Sequence, residues 1–365
     1  MLKGLNSGDY AFNTSLTVII PTYNEELKIE RCIRSVLASE KPCEKWKVIV
    51  VDDCSTDQTI QVVENVSADV DMKVNLVEMI SAGERPIGEK WAGKNWACTQ
   101  GMKNVDSSWV LFLDADVEVE KETLKRSIAQ ATEEKVDLLS LAPKLVCGCL
   151  SEWMVQPIIA MLLAIGFPIS KTNNPTTKEA FAAGPFMLFK RDAYEAIGGH
   201  KNIPNEVVED IKLASLIKTN GFKLKFILGL DSIKLRMYSN FSELWEGWTK
   251  NWFLGLNKNL AKSICASVVV FTLFTVPWIY LIGCTLMITI KDNRLILINH
   301  YLVFSLASLV TQFLIRYWCK HKFNLPTKYW YLMSVGGVII FMIGFSSIWK
   351  TLTGKGWTWK GRELG

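Results

Sequence analysis

The chain has 365 residues, enough for one large domain and something smaller, and 49% of them are hydrophobic, with a mean hydropathy of +0.17. That is too apolar for an ordinary soluble enzyme, so part of the chain is expected to sit in lipid. The formal net charge of +5 comes from Lys and Arg dispersed among acidic residues, which argues against a nucleic-acid partner and suits an anionic membrane surface. The nine cysteines form no regular framework, and neither Cys147-Gly-Cys149 nor Cys32, Cys43, Cys54 and Cys98 has the paired spacing of a structural zinc site. Reduced thiols and a cytosolic first domain are expected. Met1 to Thr14 lacks an apolar signal core, so no cleaved secretory peptide is expected.

Residues 1–15 read as an N-terminal extension and 16–258 as an α/β domain. Leu16 to Ile20 is an apolar run that halts at Pro21, and Glu25 to about Ser39 has a helical pattern. Lys47 to Val51 ends in Asp52-Asp53, after which Cys54-Ser-Thr-Asp57 can cap a helix through Gln58 to Asn65. Val74 to Met79 is a candidate third strand. Trp91-Ala-Gly-Lys-Asn-Trp-Ala97 opens a helix-compatible stretch, and Trp109 to Leu113 is a fourth strand, apolar enough to be buried on both faces. Alternating β and α elements imply a mostly parallel sheet flanked by helices. Ligands of such sheets gather at the carboxyl ends of the strands, which here carry Pro21 to Glu25, Asp52-Asp53 and Asp114-Ala-Asp116. Trp153 to Ile169 is apolar but interrupted by Pro157, Gly166 and Pro168, and reads as an interfacial or acceptor-facing element rather than a span.

Residues 259–350 form a membrane domain with about three hydrophobic segments, 263–290, 295–315 and 329–349, each about 20 residues or longer and able to cross a bilayer. Tyr329, Trp330 and Trp349 sit at the ends of the third, where amphipathic rings favour the interface. Arg316, Lys320, Lys322 and Lys328 crowd the connection between the second and third segments, and basic connections favour the cytoplasm. A multi-pass protein with its first domain cytosolic follows. Three full crossings leave the basic, aromatic tail, 351–365, on the outer side, so either one segment is re-entrant or the tail is external.

Two carboxylates spaced as Asp114-Ala-Asp116 after a strand can converge on a divalent ion that also takes phosphate oxygens, and hard oxygen donors suit Mg²⁺ or Mn²⁺. The same triplet also occurs in plain acidic turns. Asp52 and Asp53 suit hydrogen bonds to the base or ribose of a nucleotide, or the capping of the next helix. In the turn Pro21-Thr-Tyr-Asn-Glu25, Tyr23 can stack near a base and Glu25 can bond a ribose, or the turn is structural. Gly93 permits close approach of backbone N–H groups, and Lys94 brings positive charge to a diphosphate, or is a solvated lysine at a helix start. Glu209-Asp210 begins a helical pattern, running from Asp210 to Lys218, after the Gly198-Gly199 turn; a carboxylate there can serve as a general base or answer the helix dipole. His200 is a rival base, more often a structural donor beside such a turn. Trp245, Trp248 and Trp252 share one helical face, either an acceptor-side surface or an aromatic belt.

Taken in this order, Pro21-Thr-Tyr-Asn-Glu25, Val51-Asp-Asp-Cys-Ser-Thr-Asp57, Asp114-Ala-Asp116 and Glu209-Asp210 resemble glycosyltransferase family 2, of GT-A fold, over roughly Leu16 to Trp252. The resemblance implies nucleotide-sugar binding by Pro21, Tyr23, Glu25, Asp52, Asp53, Lys94 and Asp114. It further implies a divalent metal (Mn²⁺ or Mg²⁺) on Asp116 and Asp114, catalysis by Asp210 with Glu209, and acceptor-side Trp248 and Trp252. Inversion by a single displacement is expected, moving one sugar from a donor such as a UDP-hexose to a hydroxyl or carboxylate of a membrane lipid. Trp91-Ala-Gly-Lys94, Gly184-Pro-Phe186, Gly198-Gly-His200 and Trp359-Lys-Gly-Arg362 are similar to membrane-anchored members acting on carotenoids, hopanoid-type lipids or ceramide. The alternatives are a polyprenyl-phosphate or polysaccharide-forming transferase and a degenerate membrane scaffold.

Two positions depart from the family pattern. Where it often carries Q-x-x-R-W, this chain has Trp248-Thr-Lys-Asn251-Trp252, and only the last residue agrees, which favours a single transfer over polymerisation. Cys54 stands where Gly is common, and restriction of the turn after Asp53 is expected.

Overall fold

The computed structural model describes residues 14–69, 76–289 and 295–354, and the backbone of 358–359 and 362–363. The N-terminal extension, most of the tail and the start of the third predicted strand lie outside these. Two compact units are present: residues up to Lys144 with Gly166–Arg236, and Leu145–Ile165 with the chain from Met237 onward.

The first unit holds β1 (Ser15–Thr22), α1 (Ile29–Leu37), β2 (Lys45–Asp52), α2 (Thr59–Ala68), β3 (Val77–Ser81), α3 (Gly93–Met102), β4 (Trp109–Leu113), β5 (Val117–Val119), α4 (Thr123–Glu133) and β6 (Leu138–Leu145). After α5 (Leu150–Gly166), which belongs to the second unit, it resumes with α6 (Ile169–Thr172), β7 (Phe186–Lys190), α7 (Arg191–Ala196), α8 (Glu209–Thr219) and β8 (Leu224–Leu235). The eight strands form one sheet in the order β3-β2-β1-β4-β7-β6-β8-β5. It is a mixed sheet with flanking helices. The pairs β1/β2, β1/β4 and β2/β3 are parallel, while β4/β7, β6/β7 and β5/β8 are antiparallel.

The parallel half follows from the apolar runs. Val18 to Ile20, Val48 to Val51 and all of Trp109 to Leu113 are buried, as strands covered on both faces require. β1 runs two residues past its expected stop, with Pro21 opposite Val51 and Thr22 opposite Asp52. Pairing with β4 ends at Ile19, so beyond it the strand has one neighbour and tolerates a residue without an N–H. Continuing β1 to Thr22 brings the Pro21–Glu25 turn level with Asp52, Asp53 and the Asp114–Asp116 turn at one edge of the parallel strands.

The second unit comprises α5, α9 (Phe241–Gly255), α10 (Leu260–Phe274), α11 (Val276–Thr289), α12 (Leu295–Phe323) and α13 (Met333–Thr353). Among the described residues three helical stretches are long and apolar enough to cross a membrane: Leu260–Ile288, His300–Phe323 and Trp330–Thr353. The first is broken between α10 and α11. Pro277 lies in the first turn of α11 and has no N–H to offer the carbonyl of Leu273; Gln312 of α12 donates its Nε2 to that carbonyl at 2.8 Å and accepts from Trp278 Nε1 at 3.0 Å. Arg316, read from the sequence as part of a basic connection, instead lies inside α12 with no exposed surface. α5 continues through Pro157 and buries Val155, Ile158 and Ile159 in the same core as Trp248, Trp252, Val270, Phe274 and Ile340.

Candidate active site

At the ends of the parallel strands the chain bends through two residues in the left-handed region, Asn24 with φ 51° and Cys54 with φ 63°. Asn24 donates its N–H to Ser55 Oγ at 3.0 Å, and its Oδ1 accepts from Thr56 N at 2.8 Å. Glu25 N donates to Thr59 Oγ1 at 2.7 Å. Asp57 accepts from Glu26 N and from Thr59 N, which locks the two turns together beside the half-buried Tyr23 and Glu25. Asp52 is buried and accepts from Ser55 N at 3.0 Å, so it serves the turn while it faces the strand ends.

The turn after Asp53 adopts its left-handed bend with Cys54 in place of glycine. A side chain there costs roughly 1–2 kcal/mol, partly offset by the greater chain entropy a glycine would lose. Cys54→Gly is therefore expected to raise stability by up to about 1 kcal/mol, read as a higher midpoint in denaturant; an unchanged or lower midpoint would mean that the turn carries no strain.

Asp53 is buried and receives Arg85 Nη2 at 2.6 Å. A side chain at Gly93 would meet Asp53 Oδ2 at 2.7 Å, so glycine is required there to leave room for this pair. Arg85 lies in a segment with no periodic pattern, and the sequence carried no signal for its partner.

The next layer gathers Lys94, Asp114, Gly184, Glu209 and Asp210. Lys94 Nζ lies 2.7 Å from Asp114 Oδ1, 2.7 Å from Glu209 Oε1 and 3.4 Å from the carbonyl of Gly184. An ammonium has three donors, and all three are directed at the protein. Lys94 thus stands at the centre of a carboxylate cluster, where the sequence suggested a phosphate ligand. Burial disfavours its charge, but Asp114 and Glu209 more than offset that and raise its pKa well above the usual lysine value. Burial alone would push Glu209 up; Lys94 outweighs it and keeps Glu209 lowered, hence ionised. Asp210 accepts from Gly184 N at 2.9 Å and Ile211 N at 2.8 Å. Burial first, then the neighbouring Glu209 charge, pushes its pKa up to about 7. A Cβ at Gly184 would lie 3.2 Å from both Asp210 Oδ2 and Lys94 Nζ, so Gly184 is the backbone contact that joins lysine to aspartate.

His200 is not part of this cluster's proton chemistry. It is buried, its Nδ1 is 2.7 Å from Tyr194 Oη, and burial pushes its pKa down to about 3. It is a neutral structural partner of Tyr194.

Asp116 Oδ2 lies 3.7 Å from Lys28 Nζ, so the two carboxylates of the triplet have different cationic neighbours. Among the described residues no group of three or more His, Cys, Asp or Glu is arranged to hold a metal. Two hard carboxylates at one turn nevertheless fit an ion of the Mg²⁺ or Mn²⁺ type, which takes one or two protein carboxylates and completes its shell with water and substrate phosphate. Trp248 and Trp252 belong to the second unit and are buried there: Trp248 Nε1 donates to Gln156 Oε1 at 3.1 Å, and Trp252 Nε1 has no acceptor.

Residues 17–198 match the model of the family Glycosyl transferase family 2. A 4,4'-diaponeurosporenoate glycosyltransferase of Staphylococcus aureus (strain USA300) is 30% identical over 257 residues, which is 70% of this chain and 65% of that protein. Its counterpart in strain MRSA252 is 29% identical over the same shares. The chain thus spans less than two thirds of the length of these curated relatives. A mannosyltransferase from Pyrobaculum calidifontis, solved in complex with GDP-Man and Mn²⁺, superposes with a TM-score of 0.54 at 17% identity, covering 93% of this chain and 88% of that one; this likeness is one of fold. The matched segment holds both strand-end turns, Lys94, Asp114-Ala-Asp116 and Gly184, and Glu209-Asp210 follows it directly. Residues 17–198 belong to glycosyl transferase family 2.

Proposed function

We propose that the chain is a membrane-bound inverting glycosyltransferase that moves one sugar from a nucleotide-sugar to a hydroxyl or carboxylate of a lipid. The observation that carries this reading is Asp210. It is a half-buried carboxyl with a pKa of about 7, held by Gly184 N beside Glu209, Lys94 and the acidic turn of a family 2 domain. Such a group is poised to take a proton from an acceptor near neutral pH. The name of the Staphylococcus aureus relatives carries a carboxylate, diaponeurosporenoate, which supports an apolar acid or alcohol as the class of acceptor. For a carboxylate acceptor, already ionised, Asp210 would orient rather than deprotonate.

In this reading the Pro21–Glu25 turn with Tyr23, Asp52 and Asp53 receives the nucleotide, and Arg85 holds Asp53 in place. Asp116 and Asp114 would hold a divalent ion, which when bound stabilises the charge that develops on the diphosphate leaving group. Lys94 keeps Glu209 ionised, pairs with Asp114 and, through the Gly184 carbonyl, fixes the peptide that positions Asp210. The helices of 260–353 would anchor the enzyme in the bilayer that supplies the acceptor. The exposed Lys320, Lys322 and Lys328 support a cytosolic connection between α12 and α13, and with it a cytosolic first unit.

Lipids extracted after expression of the wild type with labelled nucleotide-sugars are expected to contain a new monoglycosylated species, seen by thin-layer and mass analysis. A ladder of sugars would overturn single transfer, and no product with any donor would overturn the enzyme. Asp116→Asn is expected to raise the Mn²⁺ or Mg²⁺ concentration needed for donor binding by about tenfold or more. Calorimetric donor titration in a chelator series checks this; an unchanged requirement would remove Asp116 from the metal.

A further inference from the structure

Among the described residues Arg316 is the largest fully buried side chain, and it lies in an apolar helix of the second unit. Nε donates to the carbonyl of Pro326 at 2.9 Å and Nη2 to that of Lys328 at 3.4 Å, while Nη1 is buried with no acceptor. The ring of Trp153 lies 5.5 Å from the guanidinium carbon. The ionisable groups acting on Arg316 are the thiols of Cys319 and Cys147; among the described residues no carboxylate pairs with it. Two neutral carbonyls and a ring solvate a cation without neutralising it, and an unpaired charge among apolar helices is costly.

Lys328, exposed at its end, sets its Nζ 4.5 Å from the Tyr329 ring centroid, and Tyr329 lies 5.7 Å from Trp153, edge to face. Asn324 and Tyr329 both have left-handed backbones, φ 53° and 60°. Strain of this kind in non-glycine residues persists where surrounding contacts hold it; here it bends the connection so that the carbonyls of Pro326 and Lys328 reach Arg316. Trp153 and Tyr329 are half-buried, so the ring pair beside the guanidinium is itself partly exposed. The site sits between the basic C-terminal part of α12 and the connection that leads to α13.

We propose that Arg316, with Lys328 and the Trp153–Tyr329 ring pair, binds the anionic headgroup of a membrane lipid, a phosphate or carboxylate taking the open Nη1 donors. The inference rests on the reading of residues 260–353 as membrane helices and is independent of which sugar is transferred. A lipid phosphate or carboxylate and a free phosphate offer a guanidinium the same oxygens; the bilayer is favoured because the site lies at the ends of two candidate spans.

The full chain would be reconstituted in nanodiscs of phosphatidylcholine with and without phosphatidylglycerol, and lipid retained after detergent extraction counted by native mass spectrometry. Wild type is expected to keep phosphatidylglycerol in preference to phosphatidylcholine. Arg316→Gln should lower that preference by on the order of tenfold, and Lys328→Gln, at an exposed position with no burden on folding, by about fivefold. Arg316→Lys, which keeps the charge and loses the fork, should fall between wild type and Arg316→Gln. Equal preference in wild type and Lys328→Gln, or in wild type and Arg316→Lys, overturns the site even if Arg316→Gln does not fold. Release of the bound lipid by millimolar inorganic phosphate would overturn the lipid as the source of the anion, and a fatty acid outcompeting phosphatidylglycerol would assign the carboxylate form. A chain that does not enter nanodiscs refutes the membrane reading instead, so the two failures are distinguishable.

Discussion

With a hydroxyl acceptor, Asp210→Asn is expected to lower transfer by about a hundredfold or more, the range general-base catalysis supplies, while donor binding in a calorimeter stays within a few-fold of wild type. Asparagine keeps the size of the side chain and one acceptor oxygen, so it can answer the N–H of Gly184 but not that of Ile211 as well, and it cannot take a proton. The wild-type pH profile carries the same information. With a pKa of about 7, Asp210 is ionised above neutrality, so with a hydroxyl acceptor kcat/KM should rise through about pH 7 and level off above it. Stability should run the other way. A carboxyl whose folded pKa is raised binds a proton in the folded state that the unfolded state has lost, so stability declines as pH climbs from the ordinary carboxylate range to about 7. Asp210→Asn is thus expected to melt higher than wild type at pH 8, by about 2–4 °C for each kcal/mol relieved, with the two converging near pH 4. A variant that is more stable and inactive marks a catalytic group; full activity in Asp210→Asn would remove it from the chemistry.

Lys94→Met is expected to be the most damaging single change in the first unit. It leaves Asp114 and Glu209, each 2.7 Å from the ammonium, facing one another without their shared cation. Breaking a fully buried pair in this way costs about 3–5 kcal/mol; the quarter exposure of Lys94 and Asp114 lowers the expectation to about 2–3 kcal/mol, measured by urea unfolding. Activity should fall with it, because the Gly184 carbonyl loses its donor and the peptide that holds Asp210 is released. Adding Glu209→Gln to Lys94→Met removes one of the two repelling charges and should recover part of the stability without recovering activity. A Lys94→Met protein as stable as wild type would show that the lysine is a solvated ligand for phosphate and not the centre of the cluster.

Much of the first unit was legible because its signals are local. Buried parallel strands need unbroken apolar runs, and Val48 to Val51 and Trp109 to Leu113 supplied them together with the acidic turns that follow. Glu209 and Asp210 stood at a helix start where spacing alone could point to them. The contacts of Lys94 were not legible, since Asp114, Gly184 and Glu209 are far apart in sequence and meet through the strand order β1-β4-β7. The same is true of Arg85 and Asp53. The antiparallel half of the sheet was also hidden, because β5 has three residues and β8 twelve, with turns that carry no period. In the apolar region, counting charges marked Arg316 as the end of a segment; its burial depends on carbonyls of a bent connection that no hydropathy profile registers.

The break at Pro277 bears on how the apolar helices come together. The carbonyl that the proline leaves without a partner, on Leu273, is answered by Gln312 from the following helix, which also accepts from Trp278 beyond the break. Without α12 that peptide oxygen would lack this donor, and in a hydrocarbon environment such a group would cost several kcal/mol. Gln312 thus ties the two halves of the broken stretch to α12 through hydrogen bonds that the first stretch cannot make by itself, and its replacement by leucine is expected to loosen that pairing.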